Sequence, residues 1–234
     1  ARMPLDIVDT LGIGDRIISG NLSAEMWFGM STSEKTYPDQ MAEAVAQWGR
    51  QHASHTHIAI ADGMQAVNRL PFSKRYNPRY VKNYHRLARE RLKHLKPIED
   101  EYTTIGLLSS HFVEPWMRDN KHVPAQLAIY AATHEAIQNL HLTSTLEDIT
   151  RRQAQHIVNH PDLKMPEDDA VRVMSEYARY QVYATVCLAY LGVPIKIGPL
   201  WEKQYDQIAA KVLQVMPFTD FGGVYFDPTS ATPA

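Results

Sequence analysis

Apolar residues along this chain follow two rhythms. Short, nearly continuous apolar runs, each closed by polar or turn residues, alternate with longer stretches in which apolar residues recur every three or four positions. That is the pattern of strands buried on both faces alternating with helices. The runs are Met26 to Met30, His55 to Asp62, Thr103 to Leu108, Val193 to Ile197 and Val224 to Phe226. The helical stretches cover about 38–52, 78–96, 122–141, 145–159, 167–191 and 200–215. Pro38 opens the first helix, where its missing N–H is not needed, and Met41, Ala44, Val45 and Trp48 continue it at helical spacing. Asp62-Gly63, Asn159-His160-Pro161 and Gly192-Val193-Pro194 punctuate the pattern as turns and loops. Strands alternating with helices predict an α/β fold with a doubly wound, mostly parallel sheet, in one domain over residues 1–234. Residues 1–24 read as an irregular lead-in, since Gly12-Ile13-Gly14 lacks the third glycine of a dinucleotide fingerprint. Residues 227–234 read as a loose tail.

Composition changes this picture little. The chain is 44% hydrophobic and has no apolar run of membrane-spanning length, so a soluble protein is expected. The N-terminus lacks a signal-peptide pattern, which makes the cytoplasm the expected location. The single cysteine, Cys187, sits in an apolar helical stretch; a disulfide and a cysteine metal site are excluded, and a core role is expected. His52, His55 and His57, and the pair His156 and His160, read as surface histidines because no carboxylate completes a metal-ligand spacing, so no metal is expected. His134-Glu135 opens a zinc-protease motif that Gln138 breaks.

Charge distribution says more than net charge. The total is −2, yet Lys74 to Lys96 holds nine Lys or Arg against Glu90 alone, a local balance of +8 that leaves the rest of the chain at −10. Arg79, Lys82, Arg86, Arg89, Lys93 and Lys96 step by three or four and form one stripe on a helix, opposite an apolar stripe of Val81, Tyr84, Ala88, Leu92 and Leu95. A one-signed stripe repels itself unless an anion is present. A nucleic-acid backbone is the partner favoured here, with a solvated face or an acidic membrane surface as the other readings. No RNA-recognition sheet motif or helix-turn-helix pattern accompanies the stripe.

The chemistry is expected at Glu25-Met-Trp-Phe-Gly29-Met-Ser31, which runs from the first strand into a hydroxyl-rich loop and then the helix after Pro38. In open α/β sheets, ligands bind at the carboxyl edge where strand order reverses. Gly29 leaves room for a substrate backbone, and free N–H groups at the helix start favour a developing negative charge, so Ser31 is a candidate nucleophile. The plainer reading makes Ser31, Thr32 and Ser33 loop and cap residues. Asp62 reads either as a turn former or as a carboxylate for a cationic substrate group. No ATP-binding signature is present: there is no phosphate-cradling glycine loop and no class I synthetase motif.

Phe28-Gly29-Met30-Ser31, the helix ending Ala46-Gln47-Trp48-Gly49, the strand Ile58 to Asp62 and the basic helix after it resemble the cyclodipeptide synthases. The resemblance runs loosely over about 20–225 and implies a Rossmann-like fold similar to the catalytic domain of class I tyrosyl- and tryptophanyl-tRNA synthetases, without the ATP machinery. It further implies two aminoacyl-tRNA substrates, no cofactor, transfer of an aminoacyl group to Ser31, and closure of a diketopiperazine. It implies a tRNA held by Arg79, Lys82, Arg86, Arg89 and Lys93. The family pairs a late-helix tyrosine with a glutamate four residues on, which together handle the substrate's amino group; Tyr180 fits the first, but Ala184 stands in the second place. Glu176, one turn before Tyr180, is the candidate replacement, or else a surface carboxylate paired with Arg172 or Arg179. Tyr183 joins the substrate-binding candidates, although Tyr177, Tyr180 and Tyr183 at three-residue spacing also suit core packing. Glu34 replaces the asparagine of the family's Ser-x-x-Asn. Such departures resemble the fungal arginine-containing branch, implying arginyl-tRNA as one substrate, with Asp62 and Glu202 as guanidinium partners in one pocket. Two rival readings remain: an α/β serine hydrolase or acyltransferase, whose Gly-x-Ser-x-Gly elbow Ser33 breaks, and a non-catalytic tRNA- or RNA-binding domain.

Overall fold

The computed structural model describes residues 5–13, 24–73, 77–108, 123–218 and 220–231, with backbone alone at 123–125. Lys74, Arg75, Gly14 and Gly20 fall outside them.

Six strands form one sheet: β1 (Ile7–Leu11), β2 (Glu25–Met30), β3 (His55–Ile60), β4 (Thr103–Leu107), β5 (Ile195–Pro199) and β6 (Gly222–Phe226), in the order β1-β6-β5-β2-β3-β4. All neighbours are parallel except β1, which lies antiparallel on β6. From β2 the chain steps outward through β3 to β4 and then returns to β5 on the other side of β2. Strand order therefore reverses between β2 and β5, and their carboxyl ends frame the crevice in which such sheets bind ligands.

Alternation along β2 shows why its apolar run is continuous. Met26, Phe28 and Met30 pack into a core beneath α1 (Asp39–His52) and α2 (Pro78–Leu95), while Trp27 joins Ala184, Leu188 and Val193 on the opposite face. The helices α3 (Val123–Asn139), α4 (Thr143–Gln153), α6 (Glu167–Tyr190) and α7 (Lys203–Val215) share a second apolar core, and the one-turn α5 (Gln155–Val158) packs beside them. Gly49 lets α1 press onto β2 and β3, since a Cβ there would sit 2.0 Å from Thr56 Oγ1. Among the described residues, no helix is long and apolar enough to cross a membrane.

Several expectations need correction. The lead-in contains an edge strand, β1, which the pattern concealed because Ile7 is half-buried and Val8 is 47% exposed. The tail is not loose over 228–231: a 3₁₀ turn there buries Ala231, and Asp227 N–H donates to Asp6 O. The 145–159 stretch breaks at Ala154 into α4 and α5. Asp62-Gly63 leads into a 3₁₀ segment, Gly63–Phe72, whose Pro71 is incompatible with an ordinary helix. His57 is buried and bonded to Glu25 at 2.7 Å, with burial holding its pKa below the ordinary value.

Candidate active site

Ser31 is the first residue after β2, at the reversal point. The helix α1 does not begin there: Ser33 to Thr36 form a turn first, and Pro38 caps a helix starting at Asp39. What fixes the loop is Arg91 of α2. Its guanidinium, 2% exposed, donates to the carbonyls of Ser31 and Tyr37 and pairs with Asp39 at 3.1 Å. Ser31 Oγ accepts the Ser33 N–H at 3.1 Å, and among the described residues no histidine bonds to it, so no Ser-His-Asp triad is assembled.

A cleft of about 340 Å³ opens over this loop. Ser31, Ser33 and Thr36 line one side, Gln65 and Asn68 of the 3₁₀ segment another, and Tyr177, Gln181, Glu202 and Tyr205 the wall contributed by α6, the turn after β5 and α7; His156 also lines it. Behind the shared wall of Tyr37, Tyr177, Gln181 and Glu202 lies a slot of only about 20 Å³, bounded also by Gly29, Trp27 and Lys196. Burial pushes the Tyr177 phenol up to about 12 and drives Tyr37 well above its usual range, so both are neutral hydroxyls.

The slot ends in a buried charge cluster. Lys196 Nζ lies 2.8 Å from Asp206 Oδ1 and 3.1 Å from Glu202 Oε2, and 5.2 Å from the centroid of the Trp27 ring. Tyr225 donates to Asp206 at 2.8 Å and Tyr37 to Glu202 at 2.5 Å. Burial alone would depress Lys196, but Asp206 and Glu202 offset it and hold the ammonium above its ordinary value. Burial pushes Asp206 up to about 6; Lys196 pulls against this, and Glu202 adds to it.

The structure brings together Gly29, Ser31 and Glu202 and sets the other candidates elsewhere. Tyr180 is 41% exposed, and the α6 face that looks into the site carries Tyr177, Gln181 and Ala184 instead. Glu176 is exposed and pairs with Arg179 at 3.6 Å. Tyr183 faces α3, edge-on to Tyr130, with its hydroxyl 3.5 Å from Gln126 O. Asp62 lines neither of the two cavities that Glu202 lines: it is buried against α2 and accepts from His85 Nδ1–H at 2.9 Å. Arg79, Lys82, Arg86, Arg89 and Lys93 are all exposed along α2; Lys82, Arg86, Arg89 and Lys93 flank a shallow groove, and Arg86 also pairs with Glu90 at 2.7 Å. Sequence reasoning missed Tyr37, Tyr177, Gln181, Arg91, Lys196 and Asp206. One signal was available, because a lone lysine inside the apolar strand β5 requires buried partners.

No sequence-family profile and no curated protein sequence matches this chain. Solved structures match it in fold. A cyclodipeptide synthase from Fluoribacter dumoffii superposes with a TM-score of 0.71 over 96% of this chain and 99% of its own, at 9% identity. A cyclo(L-leucyl-L-phenylalanyl) synthase gives 0.60 over 93% and 96%, at 16% identity. Tyrosyl-tRNA synthetase from Archaeoglobus fulgidus gives 0.60 over 95% of this chain but 61% of its own, at 10% identity. The chain therefore has the Rossmann-like fold that cyclodipeptide synthases share with class I tRNA synthetases.

Proposed function

We propose that this protein is a tRNA-dependent cyclodipeptide synthase. The observation that carries the reading is the link made by one helix: α2 displays the cationic stripe on its outer face and, through buried Arg91, grips the Ser31 loop on its inner face. A tRNA backbone bound along α2 by Arg79, Lys82, Arg86, Arg89 and Lys93 would bring its acceptor end toward a hydroxyl at the mouth of a cleft. Likeness of fold to cyclodipeptide synthases supports the same reading.

In the proposed reaction, Ser31 Oγ attacks the aminoacyl ester carbonyl of the first aminoacyl-tRNA. The Oγ–C bond forms, the bond to the ribose oxygen breaks, and the serine proton leaves with that oxygen. One ester replaces another, so no ATP is consumed. The cleft over the Ser31 loop, rather than the small slot that Gly29 bounds, has the volume for the acyl group. The amine of a second aminoacyl-tRNA then attacks the seryl ester, and the dipeptidyl product closes by intramolecular aminolysis.

We take one of the two aminoacyl groups to be arginyl. The sequence departures resembling the arginine-containing branch support this, as does the sign of the cleft, where Glu202 supplies a carboxylate and no lysine or arginine appears among the described lining residues. Incubation with a pool of charged tRNAs, followed by mass spectrometry, should yield diketopiperazines containing arginine. Products without arginine would remove the arginyl assignment, and no diketopiperazine at all would remove the function.

A further inference from the structure

The described residues that line the groove on α2 are Lys82, Arg86, Arg89 and Lys93, together with Glu90 and His85. Lysine and arginine carry hydrogen-bond donors and no acceptor, so they can hold phosphate oxygens but cannot receive a hydrogen from a ligand. Glu90 already accepts from Arg86 at 2.7 Å. His85 differs from all of these in being held from behind by a buried group.

That group is Asp62, whose side chain is 1% exposed just past the end of β3 and whose Oδ2 lies 2.9 Å from His85 Nδ1. A carboxylate oxygen accepts, so Nδ1 carries the hydrogen of a neutral ring and Nε2 is left with its lone pair. The imidazole itself is 41% exposed. Gly63 keeps the approach to Nε2 open, since a Cβ there would sit 3.0 Å from that nitrogen and 3.2 Å from Cε1. Among its described residues the groove therefore combines donors for phosphate with an uncharged acceptor.

DNA and RNA both present phosphate oxygens to such a surface, whereas a ribose hydroxyl hydrogen is found in RNA alone. An A-form stem displays its 2′-hydroxyls across a wide, shallow minor groove bordered by phosphates. The placement suits a stem whose end must reach the cleft. Ala61, next to Asp62, donates its N–H to the carbonyl of Met30, next to Ser31, so His85 is anchored to the same edge of the sheet as the candidate nucleophile.

We propose that His85 reads the sugar of the bound RNA: its Nε2 accepts a ribose 2′-hydroxyl from the stem that the cationic stripe holds by its phosphates. Asp62 is the positioning residue, which fixes the tautomer and the orientation of the ring. The proposal rests on the tRNA-dependent reading and adds to it a contact that recognises ribose rather than charge.

The test is filter binding at pH 8, where an ordinary imidazole carries a single hydrogen. The probe is an RNA hairpin copying the acceptor stem of an arginine tRNA, with versions in which one ribose at a time is 2′-fluoro, which keeps the sugar pucker but lacks the hydroxyl hydrogen. In wild type, one or two positions should weaken binding about 2- to 12-fold, the range of a neutral hydrogen bond. His85→Ala should abolish those penalties and leave the salt slope unchanged, because no phosphate contact is lost. His85→Gln, whose Oε1 can accept, should recover part of them. Gly63→Ala, which crowds Nε2 while leaving the Asp62 bond in place, should copy the loss. A wild type indifferent to every 2′ substitution overturns the proposal. So does a His85→Ala protein that binds all probes more weakly by one factor and loses about 0.7–0.9 of salt slope, which would make His85 an imidazolium on a phosphate. Penalties retained in His85→Ala, with a lowered melting temperature, would make the Asp62–His85 pair structural and overturn it as well. A wild type that binds neither this hairpin nor whole tRNA overturns the function reading and this one with it.

Discussion

Arg91 is the residue whose removal tests the architecture of the site most directly, because its position on a basic helix invites a different reading as one more RNA contact. Its side chain is 2% exposed, and its bonds run inward to Ser31 O, Tyr37 O and Asp39. Replacing it with methionine keeps most of the stem and deletes the fork. Charge-assisted hydrogen bonds contribute about 1.5–3 kcal/mol each. The bond to Ser31 O is long at 3.5 Å, and Asp39, at 38% exposed, is rehydrated when its partner leaves, so both are discounted. A loss of about 3 kcal/mol is expected. For a chain of this size that corresponds to a fall in melting temperature of about 6–12 °C. Arg91→Lys restores the charge but not the three-way geometry, so it should recover only part of that loss. At a temperature where both proteins are folded, Arg91→Met should acylate Ser31 slowly while binding tRNA with an unchanged salt slope. A normal melting temperature with weakened, salt-flattened tRNA binding would show that Arg91 faces RNA and that the loop is held by something else.

Three further outcomes follow from other parts of the structure. Replacing Arg79, Lys82, Arg86 and Arg89 with alanine should weaken tRNA binding and reduce its log–log salt slope by up to about 3.6, since each phosphate contact contributes about 0.7–0.9; identical slopes in filter binding would mean a merely solvated face. Supplying charged tRNA should add one aminoacyl mass to Ser31, absent in Ser31→Ala; label found on Ser33 in peptide mapping would identify a different nucleophile. Asp206, held up to about 6 against an ordinary 3.8, contributes stability that is fully present below about pH 3.8 and is lost as pH rises through about 6. The melting temperature of wild type relative to Asp206→Asn should therefore fall between pH 4 and pH 7, and a flat difference in calorimetry would show that Asp206 titrates normally.

The elements that carried a strong local pattern were legible in sequence, and the site was legible only where it lies on the backbone of a buried strand. Met26 to Met30 announces β2, and Ser31 follows from where a buried strand must end. The stripe is equally plain, because Arg79, Lys82, Arg86, Arg89 and Lys93 fall on α2 at helical spacing and Lys96 continues their step just past its end. By contrast, α6 has apolar or aromatic residues around much of its surface, and Tyr177, Tyr180 and Tyr183 differ only by rotation about the helix axis. Which of them faces the cleft is decided by the packing of Ala184 and Leu188 against Trp27, and that is tertiary information. Which of the two readings of Asp62 applies was hidden for a similar reason: the chain after it continues as a 3₁₀ segment against α2, with His85 beside Gly63. β1 escaped notice because an edge strand buries one row of side chains at most.

Where identity to solved structures lies between 9% and 16%, the fold is retained by volume and pattern while individual side chains turn over. A functional carboxylate is under a narrower constraint, since what matters is the point in space it reaches rather than the element that bears it. At the reversal point two elements reach the same slot: α6 through Gln181, and the turn after β5 through Glu202. Moving the charge from one wall to the other should therefore be tolerated. In the double variant Gln181→Glu with Glu202→Gln the slot keeps one carboxylate and one amide and the same net charge, and Lys196 keeps Asp206. Diketopiperazine formation should rise at least about 10-fold above that of Glu202→Gln alone, corresponding to about 1.4 kcal/mol of recovered interaction. A folded double variant no faster than the single one would mean that the slot needs its carboxylate where Tyr37 and Lys196 hold it, and that the two walls are not interchangeable.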